Sequence, residues 1–560
     1  MNRSFIITVF SLLAFLPFTS CDVLDVPATD RFGADIVWST EESVDQYVIG
    51  FYALLKESAD VNTSVKDYLG DLAGFTDAYS DIIKSGSWDQ YGHSFNRALL
   101  EVSFFTSTDA GPLACWSGDN GCYNRIRRHN EFLRDAPAYE EKFGKTFIET
   151  RTAEVRFLRA FAYYRLIRVY GGVVLRTTLD GPDQNDKPRS SEEDSWKQVI
   201  DDLNYAAEHL PETPVQTGRL SKAAAYAMLT RVGLYYGRLN PEGWQIAIDA
   251  ADECAKYSSL SLGENGYANV FSNASNPENI FVINYSSGEI FHRADQYFRP
   301  SGDAAVYGAT ITSAFFPTSE LVDSYEMADG TEFSWSLHGD DPYTGREPRF
   351  YASILYNGAD WEGRKIETYE DGADGIISFP HNTGASGTTL TGYYLRKWLT
   401  EGNTDWIVNG STHFYIMLRY GEVLLNKAEA LAQQDWAANS VEALACLNQI
   451  RDRVGLPEKL ASSLEEFMEL LRHERMVELA GEGFRYWDLR RWSLAEDVIQ
   501  GQQAHGCWIT KDGSTGDLTY KQVEIDGGKT RVFMERFYAF SIPEVERSNN
   551  RLLGDNNKGW

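Results

Sequence analysis

His473-Glu474-Arg475-Met476-Val477-Glu478-Leu479-Ala480-Gly481-Glu482-Gly483-Phe484-Arg485-Tyr486-Trp487-Asp488-Leu489-Arg490-Arg491-Trp492 is the stretch on which the fold turns. Leu464, Phe467, Leu471, Val477 and Leu479 recur near helical spacing, which predicts a helix over 464–480 with Ser463 as its cap. Gly481 and Gly483 stop it, because glycine readily takes the left-handed turn that ends helices. Glu474, Glu478 and Glu482 fall on one helix face, where like charges repel unless cations lie against them. Arg475, Arg485, Arg490 and Arg491 are the expected partners, since planar guanidiniums pair with carboxylates in forked geometry and stack on rings. The pattern therefore predicts a structural clamp. Catalytic readings fail on spacing. His473-Glu474 begins a zinc-protease pattern, but Val477 stands where the second histidine belongs. Gly481-Glu482-Gly483 begins a dinucleotide fingerprint, but Tyr486 stands at the third glycine.

Working outward, most of the chain reads as helix. Ser39 or Thr40 caps a helix running from Glu41 to about Lys56. Glu154 to Tyr170 is apolar over most of its circumference, with Arg156, Arg159, Arg165 and Arg168 as a narrower stripe, and Gly171-Gly172 ends it. Ser191 to Leu210, Gly218 to Arg238 and Pro241 to Tyr257 follow, with Ala223, Ala224, Ala225 and Ala227 permitting close helix contact. Trp196 and Pro211 at these intervals resemble degenerate tetratricopeptide pairs. The series resumes with His413 to Gln433 and Ser440 to Val454. Between them, about Ser258 to Gly410, lies a stretch rich in Gly, Asn, Ser, Asp and Tyr in short strand-like or irregular pieces. The predicted fold class is mainly α: a tetratricopeptide-like scaffold split by a long insertion. Loops of this length in a compact protein usually carry binding.

Met1 to Ser20 has the pattern of a secretory leader, with Arg3 before an apolar core from Phe5 to Leu16 that is too short to span a bilayer. Cys21 follows small residues, the acceptor pattern for a lipid anchor; an incidental cysteine near an ordinary cleavage site is the alternative. The domain organisation expected is a leader at 1–20, a helical region at 21–257, and a second region at 258–560 that includes the insertion, the two packed as one unit. With 560 residues, 43% of them hydrophobic and 13% aromatic, the chain can bury a large core. Its net charge of −29 disfavours nucleic acid, whose phosphates need a basic surface. Of six cysteines, setting aside Cys21 leaves an odd number, so at least one lacks an internal partner. Cys254 and Cys446 read as buried thiols. Cys115 and Cys122 bracket Trp116 and, in an oxidising setting, admit a disulfide-closed hairpin that would hold Trp116 outward; sequence does not fix the separation such a bridge requires.

The 473–492 run resembles the signature of the SusD/RagB family. So do Glu154 to Tyr164 with Tyr170-Gly171-Gly172, Arg219 to Tyr226, Leu418 to Leu425, Phe316 to Glu326, Thr391 to Trp398, and the end from Ile542-Pro543-Glu544 to Trp560. Cys21 to Pro27 resembles the family's mature start. Arg346-Glu347-Pro348-Arg349-Phe350 also matches, with Glu347 where the family usually has Asp. The resemblance implies a non-catalytic lipoprotein on the outer-membrane surface that binds nutrient oligosaccharide or polysaccharide. It further implies a partner, a SusC-like TonB-dependent barrel transporter, over which this chain closes as a lid. Some members take peptides instead.

Sugars need flat rings for their C–H faces and paired donors and acceptors for their hydroxyls. Candidate binding residues are therefore Trp88, Tyr91, Asn96, Trp116, Tyr297, Tyr307 and Trp361, with Phe298, Asp89, Arg293 and Arg299 in support. Trp116 departs from the family, in which a comparable Trp sits nearer the residue equivalent to Tyr123. No cofactor or metal is expected. There is no Gly-x-Ser-x-Gly elbow and no histidine cluster, and Gly528-Lys529-Thr530 lacks the upstream glycine of a phosphate loop, Val523 standing there. A surface glycoside hydrolase is the main alternative, because paired catalytic acids follow no sequence spacing. A purely structural adhesin is a third reading, and it predicts no small-ligand binding.

Overall fold

The computed structural model describes residues 34–59, 76–85, 99–107, 110–118, 121–179, 181, 186–263, 265–288, 290–309, 311, 313–375 and 388–560. The leader, Cys21 and the segment carrying Trp88, Asp89, Tyr91 and Asn96 lie outside these. The chain falls into two units, Met1–Gly50 and Phe51–Trp560. In the first, Thr40 caps the helix Glu41–Phe51, its Oγ1 accepting the Ser43 N–H at 3.1 Å.

The larger unit begins as a helical scaffold: α1 (Cys122–Asp135), α2 (Lys145–Tyr170), α3 (Glu192–His209), α4 (Lys222–Gly237) and α5 (Glu242–Cys254). Ser191 and Ser221 cap α3 and α4, accepting the N–H groups of Asp194 and Ala224. Each helix from α2 to α5 packs on the next, as the repeat pattern predicts. Trp196 is fully buried and stacks on Tyr235 at 5.0 Å. The closest approach, between α4 and α5, is made by glycines rather than by the alanines alone: a Cβ at Gly243 would stand 2.2 Å from the Gly237 nitrogen. Of the arginines of α2, Arg159, Arg165 and Arg168 are buried, while Arg156 is half-buried. Arg159 forks onto Asp202 of α3 at 2.7 and 2.8 Å, and Arg168 lies between the rings of Tyr164 and Trp487 at 4.2 and 4.0 Å.

The insertion contributes α6 (Gly266–Ser272), α7 (Ala294–Phe298), α8 (Asp303–Tyr307), α9 (Pro348–Ser353) and α10 (Trp406–Asn409). The scaffold then resumes with α11 (Tyr420–Asp452), α12 (Leu464–Glu478) and α13 (Arg485–Arg491). Short strands form antiparallel pairs: β1 (Ile83–Ser85) with β3 (Phe315–Pro317), β2 (Asn279–Ile283) with β8 (Tyr415–Arg419), β4 (Ile354–Leu355) with β7 (Tyr394–Leu395), β5 (Asp360–Trp361) with β6 (Arg364–Lys365), and β9 (His505–Lys511) with β10 (Leu518–Glu524). The helix expected from His413 starts later. Tyr415–Arg419 is buried along its whole length and pairs with β2, so tertiary pairing decides a continuous apolar run that periodicity leaves ambiguous. α11 breaks at Asp435, whose φ of −163° and ψ of 95° are extended, close to the predicted gap between two helices. Leu425, Leu447, Phe467 and Leu471 join α11 to α12 in one apolar core.

Ser463 caps α12, accepting the Glu466 N–H at 3.2 Å, and Gly481 and Gly483 take φ of 72° and 82°. The expected clamp is present, but the partners of its glutamates are different residues. Glu474 meets Arg349 of α9 and Arg451 of α11, at 3.1 Å for the latter. Glu478 meets Arg453, Arg419 and Arg349 at 2.6, 2.8 and 3.1 Å, and Glu482 meets Arg419 and Lys397 at 2.8 Å each. Glu278, Glu347 and Glu326 complete the network on Arg419, Arg453, Arg349 and Arg451. The arginines nearest in sequence face elsewhere: Arg475 and Arg491 take Asp488, Arg485 takes Asp81, and Arg490 lies over Trp487. Helical geometry explains this, since adjacent residues point about 100° apart and Arg475 cannot share the face of Glu474 and Glu478. His473, the residue that opened the failed zinc pattern, meets the Ser324 carbonyl at 2.7 Å.

Burial alone would raise the carboxyls of Glu478, Glu482 and Asp488, but the adjoining cations hold all three below the usual carboxylate range. Asp77 goes the other way, pushed up to about 7 by burial despite accepting the N–H groups of Gly483 and Arg485. Because folding lowers the pKa of the three clamp carboxyls, the stability they give is present at neutral pH and is lost as the pH falls below about 4.3. A thermal-denaturation series across pH should show that decline. Glu478→Gln should cost about 3–5 kcal/mol in chemical denaturation, because three buried cations lose a charge partner, whereas Glu469→Gln on the exposed face should stay within about 0.5 kcal/mol.

Candidate functional site

Tyr297, Phe298, Arg299, Tyr307 and Trp361 are gathered into one region of the insertion. α7 carries Tyr297 and Phe298 against Phe315 of β3, with ring centroids 6.5 and 6.0 Å apart. β3 pairs with β1 through Ser85↔Phe315, and Trp88, Tyr91 and Asn96 lie outside the described residues.

At the centre is Arg299, fully buried. Its Nε donates to Asp295 at 2.9 Å, Nη1 reaches Asp303 at 3.1 Å and Glu362 at 3.0 Å, and Nη2 donates to the Thr400 carbonyl at 3.1 Å. Three rings surround the guanidinium: Trp406 at 5.0 Å, Trp361 at 5.4 Å and Tyr307 at 5.6 Å. The Trp361 indole donates to Asp303 at 3.0 Å, and Arg364 spans Asp303 and Asp374 at 2.6 Å each. The carboxylates here are thus occupied by guanidiniums. The Tyr307 hydroxyl donates to Glu362, and burial followed by that carboxylate pushes the phenol up to about 12, so it remains a donor at neutral pH.

This order makes Trp361 (1% exposed) and Tyr297 (2%) supports rather than platforms. Of the candidate rings among the described residues, only Tyr307, half-buried and edge-on to Trp406, remains partly open at the surface. Beside it the surface is apolar: Phe291 is 40% exposed, and Val306, Ile407 and Val408 are also exposed. Phe291 lies directly on Gly410, where a Cβ would come within 2.1 Å of its ring, and the bridge His292↔Ser411 fixes that approach. Sequence reasoning missed Phe291 and the Trp406–Val408 run. The available signal was an apolar tripeptide between turn-forming Asn403, Asp405, Asn409 and Gly410.

Trp116 belongs to the helical scaffold instead. It is 4% exposed, packed on Tyr123 at 5.0 Å and Tyr170 at 5.1 Å. Cys115 and Cys122 are both buried at the two ends of its loop, which the Cys122 N–H closes by donating to the Cys115 carbonyl at 2.9 Å. The outward display expected of Trp116 therefore does not occur, because two tyrosine rings offer it a buried seat. Cys254 and Cys446 are buried thiols as expected, pushed up to about 12 and 11 by burial. Arg293 contacts Gln296 at 3.1 Å.

The SusD family model matches residues 277–560, and a second model, described as starch-binding associating with outer membrane, matches residues 23–234. SusD-like protein P2 of Formosa agariphila is 26% identical over 419 residues, covering 71% of this chain and 75% of that one. SusD-like protein P25 of the same organism is 24% identical, covering 88% and 91%. A SusD-like protein of Bacteroides fragilis superposes with a TM-score of 0.78 at 27% identity, covering 94% of this chain and 99% of that one.

Trp361→Ala and Trp116→Ala should each cost about 3–5 kcal/mol in chemical denaturation, the loss expected for a buried indole. Val408→Ser at the exposed strip should change stability by less than about 0.5 kcal/mol.

Proposed function

This chain belongs to the SusD family, and on that premise we propose that it binds nutrient oligosaccharide at the cell surface without cleaving it. It hands that ligand to a TonB-dependent barrel transporter of the SusC type. The observation that carries the reading is the match of both family models, one of them described as starch-binding and outer-membrane-associated, in order along the chain. The site's chemistry supports it. A half-open Tyr307 and exposed Phe291 offer faces for sugar C–H groups. Against hydrolysis, Asp303 and Asp374 are locked onto Arg299 and Arg364, whereas a glycosidase needs one carboxyl able to give up a proton to the leaving oxygen.

In this reading Cys21 carries the lipid that holds the chain at the outer membrane. No helix of the described residues is long and apolar enough to cross a membrane. A fatty-acid analogue fed to cells should label the wild-type chain, and Cys21→Ala should lose both the label and membrane fractionation. Calorimetric titration of the mature protein across a panel of glycans should give saturable binding to at least one, with no shortened products on chromatography. Phe291→Ala and Trp88→Ala should each weaken that binding about tenfold while the far-ultraviolet circular dichroism is unchanged. Product release would support the hydrolase, and silence across the panel the adhesin.

A further inference from the structure

Trp361 and Arg364 pair across β5 and β6, so Glu362 and Gly363 form the two-residue turn between the strands, and both have positive φ, 49° and 78°. Hairpin turns of this hand favour Asn-Gly or Gly-Gly, because the left-handed region crowds a side chain. A glutamate in that place works against the local preference, a conflict that points to a task for its side chain. The hairpin does not need it as a seat, since Trp361 donates to Asp303 and Arg364 bridges Asp303 and Asp374. Nor does charge balance need it. Among the described residues the ion pairs here set Asp295, Asp303, Asp374 and Glu362 against Arg299 and Arg364, so Arg299 without Glu362 still meets Asp295 and Asp303.

What Glu362 does reach is the outer face. Its side chain is 6% exposed. One oxygen accepts the Tyr307 hydroxyl and meets Arg299 at 3.0 Å, and the other accepts the Gly402 N–H at 2.9 Å. Tyr307 ends α8, a helix of five residues, and the end of so short a helix holds a side chain only loosely. Gly402 opens the turn from which α10 carries Ile407 and Val408 into solvent. One carboxylate thus ties the half-open ring to the base of the exposed apolar strip, two parts of the ligand face that come from separate stretches of the insertion.

We propose that Glu362 is the positioning residue of this face: it turns the Tyr307 hydroxyl inward and pins the turn before α10, so that ring and strip hold a fixed spacing before a ligand arrives. Order made in advance spares the ligand the cost of making it. The hydroxyl proton is committed to Glu362, and the ring meets a sugar through its face. That the ligand is a saccharide rests on the receptor reading above; the role of Glu362 rests on the geometry of the turn.

The test compares the wild-type mature chain with Glu362→Asn, which suits the positive φ but is a methylene too short for the span. With 3-fluorotyrosine placed at position 307 alone, fluorine NMR without ligand should give one resonance in the wild type. In Glu362→Asn that resonance should move toward the free amino acid, while the melting temperature stays within about 2 °C. Calorimetric titration with maltoheptaose, laminarihexaose and cellohexaose should show that whichever binds the wild type binds Glu362→Asn about tenfold less tightly. Tyr307→Phe should cost the wild type a similar factor and Glu362→Asn less than about twofold more, because both changes release the same ring. An unmoved resonance, unchanged affinity, a melting temperature that falls with the affinity, or two losses that multiply to about a hundredfold would each overturn the inference. Silence of the wild type toward all three glycans would count against the saccharide reading of this face, and the fluorine spectrum would still decide the role of Glu362.

Discussion

Glu478 is surrounded by three guanidiniums that arrive from different parts of the chain: Arg349 from α9, Arg419 from the end of β8, and Arg453 from the end of α11. Placing so much charge inside a protein is costly, and a well-packed apolar core of the same volume is often as stable or more so. What an ionic core adds is discrimination. Each carboxylate tolerates only a small set of positions for its partners, so the insertion and the scaffold meet in one register. α12 is therefore the seat on which the insertion rests, and the glycine turn after it aims the next helix, α13, at Asp77, Asp81 and the aromatic pocket around Arg490.

The same principle recurs on a smaller scale at Arg299. There a buried guanidinium collects Asp295, Asp303 and Glu362, and its faces collect Trp361, Trp406 and Tyr307. Rings that would be sticky on a mobile loop become a fixed wall, and only its outer edge meets solvent. Affinity for an uncharged, strongly hydrated ligand such as a sugar depends on such preorganisation, because little binding energy remains after loops have been ordered. The two arginine centres are linked through the segment 396–401, where Arg396 approaches Trp361 at 6.0 Å and the Thr400 carbonyl accepts from Arg299.

The scaffold was legible because its signals are local: the cap at Ser463, stop glycines at 171, 481 and 483, and apolar periodicity between them. The glutamate face of α12 was legible for the same reason. Its partners were not, since Arg349, Arg419 and Lys397 are distant in sequence and nothing in their own neighbourhoods marks them as internal. Tyr415–Arg419 shows the limit of periodicity, because a short apolar run suits helix or strand until β2 lies beside it. Trp116, Tyr297 and Trp361 show another limit. An aromatic residue among glycines and asparagines reads as displayed, yet its large apolar surface is what most favours burial once neighbours are found.

Hydrogen exchange on Glu478→Gln examines most directly whether α12 seats the insertion. Removing that one charge should raise exchange together in β2, α9, β7 and β8 as well as in α12, leaving α2 to α4 as protected as in the wild type. Increased exchange confined to α12 and its own turn, with the insertion strands unmoved, would contradict the account.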